Sequence, residues 1–74
     1  MTKDVEVTQK DIDGISFALN IPVKEIKKMK IKAKAFSDED EARKFSDEVA
    51  LVTMKLETLD SGEVKTTVFY KVED

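Results

Sequence analysis

The side chains that could do chemistry in this 74-residue chain are carboxylates, lysines and one tyrosine, Tyr70. There is no histidine and no cysteine. That removes the usual general base near neutrality, the thiolate nucleophile, the Cys/His zinc site and the disulfide. Asp11, Asp13 and Gly14 share the spacing of a calcium-loop fragment. However, Gln9 falls on the first ligand place and Asn20 on the place of the bidentate glutamate, so the loop lacks its two strongest ligands. Asp38, Glu39, Asp40 and Glu41 stand where a helix would begin, and there acidic residues complement the positive end of the helix dipole. The two glycines, Gly14 and Gly62, are too far apart to form a glycine-rich phosphate loop. The expectation is a protein with no catalytic residues, no cofactor and no metal.

The lysines form the other pattern. Lys28, Lys30, Lys32 and Lys34 alternate with Met29, Ile31, Ala33 and Ala35, which predicts a strand over 28–36 with its lysines on one face. Between Lys24 and Lys34 six lysines meet one glutamate, a local charge of +5. Residues 37–48 carry six acids against Arg43 and Lys44, a local charge of −4. Further along, Lys55, Lys65 and Lys71 share the outer face of a C-terminal hairpin with Thr53, Thr67 and Phe69. If these strands share a sheet, Lys28, Lys30, Lys32, Lys34, Lys55, Lys65 and Phe69 make a basic surface with one aromatic. Such surfaces hold single-stranded nucleic acid by phosphate contacts and base stacking. Lysines also protect exposed strands from edge-to-edge pairing, and the net charge of −3 argues against a general polyanion binder.

A second nucleic-acid reading rests on residues 15–29. Ser16, Asn20, Ile21, Ile26 and Met29 occupy the small-residue, turn and apolar-anchor places of the pattern, so the run resembles a helix-turn-helix. The resemblance implies that Val23, Lys24, Lys27 and Lys28 would face DNA. Asn20 stands where Gly is more usual, and the helix that commonly precedes such a unit is missing.

Local signals place the elements that would hold these residues. Val5 and Val7 alternate with acids, as in a short edge strand. Thr8 and Asp11 form a capping box ahead of Ile12, Ile15, Ser16 and Leu19, predicting a helix near 9–19 that ends at a left-handed Asn20 before Pro22. From Pro22 a short helical turn competes with the strand, so residues 22–29 are open between the two. Ser37 is an N-cap for a helix near 38–48 that buries Ala42, Phe45 and Val49. Leu51–Leu59 and Glu63–Glu73 read as two strands around Asp60-Ser61-Gly62. A two-residue turn would set Val68 opposite Lys55 and mix the faces. A three-residue loop, with Gly62 at positive φ, pairs Leu56 with Thr66, Met54 with Val68, Val52 with Tyr70 and Glu57 with Lys65.

The fold class expected is α+β: one domain over 1–74, with a mainly antiparallel sheet of three to four strands, two helices on one face and a C-terminal hairpin. The expected core is Ile12, Ile15, Leu19, Ile31, Phe45, Val52, Met54, Leu56, Val68 and Tyr70. No stretch resembles a signal-peptide core or a membrane span, and cysteine absence fits a reducing compartment, so a cytoplasmic protein is expected. Outward Leu51, Leu59 and Phe69 and open strand edges favour a non-enzymatic protein-interaction module with a protein partner, self-association included. Its composition resembles that of small phage and mobile-element products that inhibit or modulate host machinery. Nucleic-acid binding through the lysine-rich strand or the helix-turn-helix-like segment is the alternative.

Overall fold

In the computed structural model, which describes residues 2–72, β4 (Val64–Lys71) is the strand around which the chain is built. It pairs on one side with β2 (Ile31–Phe36) and on the other with β3 (Ala50–Thr58). β1 (Thr2–Val5) closes the far side of β2, so the antiparallel sheet runs β1-β2-β4-β3. Three helices cover it: α1 (Gln9–Leu19), α2 (Val23–Lys28) and α3 (Glu39–Glu48). The expected α+β class and the C-terminal hairpin are therefore present. Among the described residues no helix is long and apolar enough to cross a membrane.

The helices differ from expectation in their placement. Val68 and Phe69 are neighbours in β4 and so point to opposite sides of the sheet. Val68, fully buried, packs with Phe36 and with Ala42 of α3, while Phe69, 3% exposed, packs with Ile15 of α1, Ile26 of α2 and Ala33. The helices thus lie on both faces rather than sharing one, and two thin cores replace a single one. Four consecutive β4 residues, Thr66 to Phe69, are buried as a result.

Local chemistry accounts for the helix ends. The Asp11 N–H donates to Thr8 Oγ1 at 3.2 Å and the Thr8 N–H to Asp11 Oδ2 at 3.1 Å, which is the expected capping box. Asn20 adopts φ 55° and ends α1. The competition over residues 22–29 resolves as helix through Lys28, and β2 starts only at Ile31, three residues later than the alternation implied. The Ile26 carbonyl accepts from Met29 N–H at 3.0 Å, closing that last turn. α3 begins one residue later than expected, because Asp38 and not Ser37 caps it, its Oδ1 accepting from Asp40 N–H at 2.9 Å.

The hairpin register matches expectation over most of its length: Leu56 pairs with Thr66, Met54 with Val68 and Glu57 with Lys65. The loop has the expected form, with Gly62 at φ 89°. A bulge at Val52 then shifts the pairing, so that Leu51 and not Val52 faces Tyr70. Val52 turns instead to the α1/α2 core. Two expected core residues are exposed, Leu19 at the end of α1 and Leu56, 58% exposed, on the open strand β3.

This division of burial has a measurable consequence. Ile26→Ala should cost ~2–5 kcal/mol in urea unfolding, whereas Leu56→Ala in dilute solution should cost under ~0.5 kcal/mol. A large loss at Leu56 would mean that a helix covers β3 after all.

Candidate functional site

The strands determine where the expected basic surface goes. Lys34 lies opposite Val68 and Lys32 opposite Tyr70, so both lysines stand on the α3 face. Lys55 and Lys65 lie in the rows of Thr67 and Glu57, on the α1/α2 face. Lys28 ends α2 and ion-pairs with Glu25 at 3.7 Å, and Lys30 sits in the link to β2. The seven residues are therefore not brought together. Phe69, expected to project outward, lies in the core and offers no stacking surface. The reason is register: each strand alternates as expected, but the lysine face of β2 coincides with the Val68 face of the hairpin.

Lys34 does not project freely into water. Its Nζ lies 5.0 Å from the centre of the Phe45 ring, which itself packs 5.3 Å from Phe36 and edge-on to Tyr70 at 5.1 Å. This is a cation–π arrangement at the rim of the α3 core. Other charged groups also have local tasks. Asp11 and Asp38 cap helices, Asp13 accepts from Gln9 Nε2 at 3.0 Å, and Glu39 pairs with Arg43 at 3.1 Å. A surface depression of about 520 Å³, lined in part by Asp4, Glu6, Lys32 and Tyr70, is open to solvent. Nothing there shields a reacting group from water.

The helical reading of 15–29 is physically realised in part. α1, a turn centred on left-handed Asn20, and α2 follow in order. The Ser16 hydroxyl donates to the Ile21 carbonyl at 2.5 Å, and Lys24, Lys27 and Lys28 are exposed. α2 has only six residues, though, about 9 Å of helix, before the chain turns into β2.

What the fold leaves open is backbone. β1 and β3 are the sheet edges, four and nine residues long. On β3 the direction of each peptide group follows from the hairpin loop. The Leu59 N–H donates to the Glu63 carbonyl at 2.8 Å and the Leu59 carbonyl accepts from Gly62 N–H at 2.9 Å, so Leu59 turns both groups toward β4. Backbone groups of successive residues alternate in an antiparallel ladder. The pairing is regular from Thr58 back to Thr53. Glu57, Lys55 and Thr53 therefore bond β4, and Thr58, Leu56 and Met54 present N–H and C=O outward. Around this edge stand the exposed apolar side chains of Leu51, Leu56, Leu59 and Val64. The sequence did suggest exposed Leu51 and Leu59 and open edges, but it placed Leu56 inside.

These features define a small α+β protein whose least satisfied feature is a strand edge. Comparison of the chain with protein-family models, curated proteins and solved structures finds no match.

The backbone directions are directly testable by proline substitution. Lys55→Pro deletes a ladder bond to β4 and should destabilise the fold by ~1–3 kcal/mol more than Leu56→Pro, whose N–H faces away from the sheet. Equal losses in thermal unfolding would show the edge to be phased differently.

Proposed function

We propose that this chain is a non-enzymatic, cytoplasmic protein-interaction module that binds through the outer edge of β3. The observation that carries the reading is the coincidence, on one strand, of outward N–H and C=O groups at Met54, Leu56 and Thr58 with uncovered apolar side chains. Strand addition draws affinity from such backbone groups and selectivity from side chains that alternate along the edge. Of the six large apolar residues left exposed among the described residues, four belong to this hairpin. Phe17, 91% exposed on the outer side of α1, stands apart from them. Single exposed apolar residues are ordinary on soluble proteins, whereas clusters mark contact sites. No cofactor is required for this role, and Asp11, Asp13, Asp38 and Glu39, among the acids that might have done chemistry, cap or pair along helices.

A nucleic-acid role is the competing reading, and the exposed Lys24, Lys27 and Lys28 on α2 after a left-handed turn are the observation in its favour. It is weaker because the strand lysines are split between two faces and Phe69 is buried. The two readings separate in a pair of measurements. The interaction edge predicts a saturable protein partner or self-association that Leu56→Pro abolishes, with no DNA or RNA binding at low salt. Affinity for nucleic acid that falls steeply with salt and is lost on Lys27→Glu would instead establish the rival.

A further inference from the structure

We infer that the partner which fits β3 is a second copy of the same strand, paired antiparallel across a twofold axis centred on Leu56. This inference rests on the reading of β3 as the interaction edge. The stretch Lys55-Leu56-Glu57 is self-complementary: reversing its direction exchanges its charges about Leu56. In an antiparallel pair centred there, Lys55 of each copy meets Glu57 of the other, and Leu56 meets Leu56. Met54 and Thr58 face each other in the remaining bonded pairs.

Three independent constraints select this register. Backbone direction is the first. The outward groups of Leu56 bond those of its counterpart, and those of Met54 bond Thr58, so all the inter-chain positions with outward N–H and C=O are matched. Charge is the second. A pair centred on Lys55 would oppose lysine to lysine, one centred on Glu57 would oppose glutamate to glutamate, and one centred on Met54 would leave both charges without partners. The bulge at Val52 is the third, because it interrupts the regular edge and confines pairing to residues 53–59, the span that a centre at Leu56 uses.

The side chains then fall into place on both faces. Glu57 already lies opposite Lys65 within its own chain. Pairing would add Lys55 of the other copy on its free side, giving an alternating row of charges across the junction. On the opposite face the two Leu56 side chains would cover each other, with Val64 diagonal to each. The four-stranded sheet becomes a continuous eight-stranded one, and neither copy retains a long open edge. β1, the other edge, spans four residues and contains no comparable charge pattern.

Sedimentation velocity on the whole chain tests this. The wild type should pass from monomer to dimer as concentration rises from low micromolar to millimolar. Lys55→Glu, whose intrachain neighbour is Thr67 and whose fold circular dichroism can verify, should weaken dimerisation on the order of tenfold or more, because two attractive pairs become repulsive. Combining it with Glu57→Lys and Lys65→Glu inverts the pattern, keeps it self-complementary and preserves an opposite-charge pair between positions 57 and 65 within the chain, and should restore the dimer. A wild type that stays monomeric at millimolar concentration, or a Lys55→Glu variant that dimerises as well as the wild type, overturns the inference. A monomer that nevertheless captures another protein in a manner lost on Leu56→Pro would overturn self-pairing alone and leave the β3 edge as the binding surface.

Discussion

The whole arrangement depends on β4 being enclosed on every side. Its edges are hydrogen-bonded to β2 and β3, and its consecutive residues Val68 and Phe69 feed two separate cores. A strand buried on both faces needs a helix layer on each, so α1 and α2 take one side and α3 the other. A chain of this length has little helix to spread over two layers. Ten residues of α3 span about 15 Å, enough to cover Phe36, Val68 and Tyr70 but not the outer part of β3. The exposure of Leu56 is therefore a consequence of central burial and not an isolated irregularity.

Local features of this fold are legible in the sequence because they are decided by a few adjacent residues. Thr8 and Asp11 cap each other, Asn20 takes the left-handed conformation before Pro22, and Gly62 supplies the positive φ that fixes the hairpin register. What the sequence conceals is the phase of one strand relative to another. Alternation in 31–36 separates lysines from alanines, and alternation in 50–71 separates two sets of hairpin residues. Neither pattern states which set of one strand shares a face with which set of the other. With both faces covered, inside has two meanings, and Lys34 can lie beside Val68 while Ala33 lies beside Phe69. The unbroken run Thr66-Thr67-Val68-Phe69-Tyr70, free of charge and rich in β-branched and aromatic residues, is the signal of two-sided burial that a one-sided reading passes over. The choice of helix over strand up to Lys28, which the sequence leaves open, and the bulge at Val52, which it does not signal, have a related cause. Each interrupts a periodic pattern only where tertiary packing of Ile26 or Val52 outweighs it.

The same division explains why the candidate site is made of backbone and not of reactive side chains. Of the acids that looked available for metal or acid–base work, Asp11 and Asp38 cap helices and Asp13 and Glu39 pair along them, and the lysine nearest an aromatic cluster lies over Phe45. The β3 edge is different in kind, since its outward N–H and C=O groups at alternate residues find no further strand among the described residues. Water satisfies them in the monomer, and another strand would satisfy them while also covering Leu56. The charges on either side of Leu56 decide which strand, by admitting an antiparallel copy and opposing the out-of-register alternatives.

Residue-resolved amide hydrogen exchange, followed as chain concentration is raised, addresses the β3 edge most directly. The N–H groups of Met54, Leu56 and Thr58 should exchange quickly in dilute solution and slow together on concentration, while those of Thr53, Lys55 and Glu57 remain protected throughout. Rapid exchange at Met54, Leu56 and Thr58 at every concentration, or slowing confined to α1 or α2, would contradict the pairing of β3 with a second copy of itself.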